Sequence, residues 1–258
     1  AKLKEEVVKA NSLVREANFL AEEMGKGTEF SVTLQIPAAN LSPNRKRGAF
    51  VSEPAILVKR KGRNSQIWAM EKFENKIIDM RDLYEERKEK GLPMKDQGPP
   101  SKGDPFYESQ ENHNLIGVAN VFLEALFYDV KLDYQVPIIS QQGEVSGRLH
   151  IELCRVSSTL PDNSSGDYDS NEQLDRINED SVVVGSNIVC RVSIKEAKGL
   201  PPALSNFVFC QYSFWGHPEP IVVPPQVDPD FTSLQRTKND GVSFRFDHKR
   251  EFQIHVTE

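Results

Sequence analysis

The sequence predicts an α+β fold dominated by β-structure, with helices in two places only. Helical periodicity is confined to residues 1–24 and 70–90. Elsewhere apolar and polar residues alternate in short runs, and clusters of Pro, Gly and Asn punctuate the intervals between them.

The opening run, AKLKEEVVKANSLVREANFLAEEM, places Leu3, Val7, Ala10, Val14, Ala17, Ala21 and Met24 at alternating spacings of four and three. That is a heptad seam, weakened by its alanines and stopped by Gly25 and Gly27. It reads equally as a coiled-coil-like helix over 1–25 that pairs with a second copy, and as a helix docked on the domain that follows. No capping residue stands at its start, so a longer chain is expected upstream. TEFSVTLQIPA then alternates, with Phe30, Val32, Leu34 and Ile36 expected inward, and Pro37 ends it. LSPNRKRGAFVSEP is a loop by composition, and AILVKRKG a second strand closing in a basic turn at Gly62.

From Met70 to Lys90 the period becomes helical again. Met70, Phe73, Ile77, Met80 and Tyr84 form one stripe, Arg87, Lys88 and Lys90 suit the negative end of the helix dipole, and Gly91 with Pro93 terminates it. A Pro/Gly-rich connector follows. NLIGVANVFLEALFYDVKLDYQVPII is the most apolar part; its first half is ambiguous between strand and buried helix, whereas Leu132, Tyr134, Val136 and Ile138 predict strand. Leu149, Ile151 and Leu153 face inward on the next strand, and Ile188, Cys190, Val192 and Ile194 on a later one. FVFCQYSF and PIVV are expected as strands, and VSFRFDHKREFQIHV as a hairpin turning at Asp247 to Arg250.

Between these strands, residues 158–181 are rich in Ser, Asn, Asp and Glu and read as an acidic, mobile linker. The expected division is therefore a helix over 1–25, a β-rich body over 28–157 with its helix at 70–90, the linker, and a β-segment over 182–258. Whether the two β-regions are separate or share sheets is open at this level.

Composition narrows the function. With 258 residues, 38% hydrophobic and 27% charged, the chain can bury a sizeable core, and no run approaches the ~20 apolar residues that span a bilayer. A net charge of −6 argues against nucleic acid as the main partner. Cys154, Cys190 and Cys210 are odd in number and sit in strand-like runs, as reduced, buried thiols do. MGKGTEF lacks the spacing of a phosphate-binding loop, and His113, His150, His217, His248 and His255 show no metal-ligand spacing. No nucleophile motif is present, so no reaction centre and no cofactor are expected.

The charges that remain are unevenly placed. Arg45, Lys46, Arg47, Lys59, Arg60, Lys61 and Arg63 crowd one region and suit an anionic surface, either acidic lipid or an acidic partner, with a solvated loop as the plain alternative. Ser52 follows the first three cations and Ser164 precedes Asp167, both settings that kinases accept.

VCRVSIKEAKGLP and LSNFVFCQY resemble C2 domains, which implies a β-sandwich for the C-terminal segment. The calcium ligands of that family are missing: Asn206 stands where its calcium-binding members carry an acidic residue, and KGLPPALSNF holds no carboxylate. The resemblance thus implies a calcium-independent C2-like segment, either protein-binding or docking on anionic lipid.

Longer runs are more specific. VTLQIPAANLSPNRKRGAFVSEPAILVKRKG, ENKIIDMRDLYEER, DPFYESQENHNLIGVANVFLEALFYDVKLDYQVPIISQQGEVSGRLHIEL and LSNFVFCQYSFW resemble the stalk of FHA-containing transport kinesins, nearest the GAKIN group of guanylate-kinase-associated kinesins. The resemblance implies a non-motor, MAGUK-binding stalk of a cytoplasmic, microtubule-associated ATPase motor. Its implied partners are the guanylate-kinase-like domain of a Discs-large-type scaffold and the motor's own motor or neck region. The basic pocket expected in such a domain suits phosphoserine or clustered carboxylates, which singles out Ser164, Ser165, Asp167, Asp169 and Ser170. A folded surface of the β-rich body and the exposed face of the 70–90 helix are the other candidate sites.

Overall fold

The computed structural model describes residues 2–41, 52–98, 103–109, 113–128, 130–159, 184–226, 236–237 and 241–257. They divide into two units, Ala1–Leu115 with Gln141–Gly143, and Ile116–Ser140 with Glu144–Glu258. Within them run two α-helices and a β-dominated set of antiparallel strands, so the expected fold class holds.

In the first unit, helix α1 (Lys2–Glu23) packs against a three-stranded antiparallel sheet of order β1–β2–β3. Strand β1 (Thr28–Gln35) pairs with β2 (Glu53–Arg60) from Thr28 opposite Arg60 to Gln35 opposite Glu53, and β2 pairs with β3 (Gln66–Ala69). Helix α2 (Met70–Glu89) starts directly from β3 and lies on β2, β3 and α1. From Ala10 onward the heptad seam is not available to a second copy, while Leu3 at its start stays exposed. Ala10, Val14, Ala17, Ala21 and Met24 are buried against Phe30, Val58, Trp68, Phe73, Ile77 and Met80. The small seam residues let the helix approach the sheet closely, so the coiled-coil-like expectation gives way to its docked alternative. The helical stripe over 70–90 is borne out, and emptying Phe73 from this core costs about 3–5 kcal/mol.

Two details depart from expectation. Leu34 is exposed while Gln35 is buried, because Gln35 donates to the Glu53 carboxylate at 3.3 Å across the β1–β2 pair. Strand β3 has too few residues to show an alternating pattern, yet it delivers Trp68 to the centre of the core.

The second unit is built on a five-stranded antiparallel sheet of order β4–β5–β6–β10–β9, from β4 (Leu132–Ile139), β5 (Val145–Thr159), β6 (Asn187–Leu200), β9 (Arg236–Thr237) and β10 (Gly241–His255). Strands β7 (Cys210–Tyr212) and β8 (Ile221–Val223) form a separate two-stranded pair. The face carrying Ile188, Cys190, Val192 and Ile194 on β6 is buried as expected, together with Leu153, Phe246 and Phe252.

Three boundaries move. Strands β4 and β5, expected in a body ending at 157, pair through β6 with the C-terminal strand, so these two strands belong to the sheet of the C-terminal segment while β1–β3 form a sheet of their own. Strand β5 runs on through Ser158 and Thr159, which face Ile188 and Asn187; the rest of the acidic segment lies outside the described residues. The C-terminal hairpin is instead one strand. β10 follows β6 from Leu200 to Asn187, and the expected turn is a bulge between Arg245 and His248 with Asp247 at φ 44°. The ambiguous apolar stretch is neither long strand nor long helix: Val118 bridges Ile139, and a 3-10 helix spans Leu123–Tyr128, its Leu126 buried in the sheet's core.

Candidate functional site

The basic patch is split by burial. Lys59, Lys61 and Arg63 stand exposed around the turn at Gly62, whose φ of 75° suits a residue without a side chain. Arg60 does not join them. Its Nη2 lies 2.7 Å from Asp104 Oδ2, its Nε donates to Thr28 Oγ1 at 2.8 Å, and its guanidinium covers the Tyr107 ring at 5.0 Å. Its side chain is 9% exposed, so Arg60 is withdrawn from any anionic surface and serves the fold. Arg45, Lys46 and Arg47, and likewise Ser164, Ser165, Asp167, Asp169 and Ser170, lie outside the described residues. Ser52 is half-buried just ahead of β2.

Arg60 belongs to a charge network that sequence reading missed. Lys26, taken as part of a helix stop, is 3% exposed and donates to Asp96 Oδ2 at 2.6 Å, with Asp104 Oδ1 at 3.6 Å. Its ammonium also sits 5.4 Å from the centre of the Phe106 ring. Arg87, from the last turn of α2, holds Asp96 Oδ1 at 2.5 Å and the Met94 carbonyl at 2.7 Å. Burial alone would raise the Asp96 carboxyl, but hydrogen bonds and charge from Lys26 and Arg87 outweigh it and hold the group below its usual range. The signal was present as paired charges, but their partners lie 44 and 70 residues apart. Through these pairs the chain after α2 is strapped back onto the turn between α1 and β1 and onto β2.

The exposed side of α2 carries Lys72 and Lys76, both paired with Glu108 at 3.3 and 3.6 Å. Beside them an open groove of about 380 Å³ runs along the first turns of the helix, lined by Glu71, Asn75 and Asp79. The paired charges and shallow shape leave it without a set of free, convergent groups.

In the second unit Phe214 stacks on Phe252 at 4.1 Å between centroids, and Tyr212 and His217 meet the same ring edge-on. His248 shares a 2.9 Å hydrogen bond with the Tyr212 hydroxyl, and burial, aided by Arg250, holds the imidazole below its usual value. Next to this anchored cluster Trp215 is 73% exposed, and Phe207, in a bend ahead of β7 where a strand was expected, is exposed as well. The cysteines are free; burial pushes the Cys190 thiol up to about 11 and Cys210 up to about 12, which keeps both unreactive near neutral pH. Among the described residues no three His, Cys, Asp or Glu side chains gather as a metal site. No described helix is long and apolar enough to cross a membrane.

Comparison with known proteins places these features in a context. A family model described as kinesin protein 1B matches residues 73–118, which take in most of α2 and the strap that follows it. Human kinesin-like protein KIF13A is 58% identical over 265 residues, covering all of this chain and 15% of that protein. Human KIF13B is 50% identical over 262 residues, again along the whole chain and over 14% of its own length. Rat KIF1A is more distant, at 28% over 170 residues and 59% of this chain. The resemblance to transport kinesins drawn from the sequence is borne out.

Proposed function

From its membership among the kinesin-like proteins, which it matches along its whole length, we propose that this chain is a non-motor stalk segment through which a microtubule motor selects cargo. The single observation behind this reading is the match along the whole chain, at 58% identity overall, to a stretch that makes up only 15% of the related protein. The parent protein is then a cytoplasmic, microtubule-associated ATPase, and this segment contributes binding surface to it.

The docking partner in this reading is the guanylate-kinase-like domain of a Discs-large-type MAGUK scaffold. Support comes from the quoted runs that resemble the GAKIN stalk, and from the chemistry of a basic pocket that accepts clustered carboxylates or phosphoserine. Calorimetry of this chain against an isolated guanylate-kinase-like domain tests it. Saturable heat is expected; its absence with both proteins at tens of micromolar overturns the scaffold reading. A contribution to motor autoinhibition belongs to surfaces other than the stripe of α1, which is occupied within its own unit. The rival reading as an anionic-lipid module is not adopted, since Arg60, one of its cations, is already paired with Asp104.

A further inference from the structure

Every sheet ends in strands whose outer backbone groups need partners, and this molecule treats its edges unequally. On β1, the Asn18 side chain acts as a substitute strand: its Nδ2 donates to the Phe30 carbonyl at 2.9 Å and its Oδ1 accepts the Phe30 N–H at 2.8 Å. On β3, the Gln66 amide bonds both the carbonyl and the N–H of Glu108, which draws the 103–109 segment along that edge. The outer side of β10 beyond β9 carries exposed Lys249, Arg250 and Glu251, charges that discourage strand addition.

Strand β4 is different. Val118 exchanges both backbone bonds with Ile139, at 2.9 Å each, so the groups of Ile139 point outward. Alternation along the strand aims Asp133 and Gln135 the same way, and among the described residues no strand pairs with them on that side. Pro137 offers no donor, so the open stretch runs from Leu132 to Val136. An apolar rim lies beside it. Phe122 is 66% and Tyr128 61% exposed, with Phe127, Val130 and Tyr134 also open to solvent. Because Leu126 is buried with Leu153 and Ile138, this rim lies on the core-facing side of the sheet.

We propose that the β4 edge with its aromatic rim is a docking site for an extended segment of a partner protein, added antiparallel or parallel as a further strand. The segment alternates apolar side chains toward Phe122, Tyr128 and Tyr134 with polar ones toward the opposite face, where Asp133 meets His150 at 2.6 Å and Lys195 at 3.7 Å. Half-exposed, the rim presents on the order of 400 Å² of apolar surface, about half of what each side of a stable protein dimer contributes. That favours a single strand, for which main-chain hydrogen bonds supply affinity and the rim supplies selectivity. The Val118 bridge has already begun the same extension at Ile139. The proposal concerns where an extended partner binds, and holds whether or not a MAGUK domain is the cargo scaffold.

The test uses the whole chain and a capped nonapeptide alternating valine and threonine between terminal lysines, alongside the same peptide N-methylated at alternate amides. Saturable binding of the first is expected, with about tenfold slower hydrogen exchange at the Asp133 and Gln135 amides. The methylated form that blocks the edge-facing donors should not bind. Gln135→Pro should abolish binding by removing an outward donor; Phe122→Ser and Tyr128→Ser, both at exposed positions, should weaken it about tenfold without loss of fold. No binding, equal binding of both peptides, or exchange protection confined to other strands overturns the proposal. So does a dimer in sedimentation equilibrium that dissolves on Phe122→Ser, since a second copy would then be the occupant.

Discussion

Asp104 sits where three demands meet: it accepts the Phe106 N–H at 3.0 Å, pairs with Arg60 and neutralises Lys26, all with its side chain 3% exposed. Removing Asp104 leaves Lys26 with Asp96 but strips the buried Arg60 guanidinium of its carboxylate, and that uncompensated charge outweighs the Coulomb energy lost. Asp104→Ala should therefore cost about 3–5 kcal/mol in denaturant unfolding. Lys61→Ala, in the exposed turn that follows β2, should stay within about 0.5 kcal/mol. Asp96 supplies a pH dependence whose sign is fixed. Its folded carboxyl titrates below the unfolded value of about 3.9, so its stabilisation is complete above that pH and is lost as pH falls through the folded value. Asp96→Asn should flatten that acid limb of the stability curve, measured by thermal unfolding between pH 5 and 2; an unchanged limb would count against the strap. His248 behaves with the same sense near neutrality: held below about 6.5, it favours the neutral ring and loses stabilisation as pH drops.

Elements are decided by close approach as much as by propensity. Gly117 shows this. A Cβ there would lie 2.5 Å from the Ile139 carbonyl oxygen and 2.7 Å from Ile138 Cγ2, so Gly117→Ala must push the 116–121 segment off β4. The expected result is loss of exchange protection at Val118 and Ile139, with a destabilisation of about 1–3 kcal/mol. Protection that survives the substitution would mean the segment is held by other contacts. At this scale the sequence was informative where a pattern was long. The α2 stripe, the alternation of β6 and the inward set on β5 were all legible, because burying one face demands a period that neighbouring residues display. It was least informative where the element was short or irregular. Strand β3 has no room for a pattern, and the bulge at Asp247 imitates a turn because both call for a residue that tolerates positive φ.

For the molecule as a whole, the consequential feature is that β5 and β6, separated in sequence by the acidic segment, are neighbours in one sheet from Arg148 opposite Lys198 to Thr159 opposite Asn187. Cutting an engineered protease site within 160–183 should therefore release no fragment. The two pieces are expected to co-elute on a sizing column and to separate only in denaturant; separation under native conditions would refute the shared sheet. By itself the sequence determined the β-dominated class, both helices, the inward faces of β5 and β6 and the kinship with transport kinesins. These follow from local periodicity and from long ordered matches, which need no knowledge of distant contacts. Only the tertiary structure decided that α1 spends its seam on its own unit, that Lys26 and Arg60 are buried with Asp96 and Asp104, and that β4 is left with an open edge. Each of those depends on which distant residues meet, and burial energy, not proximity along the chain, selects the partner.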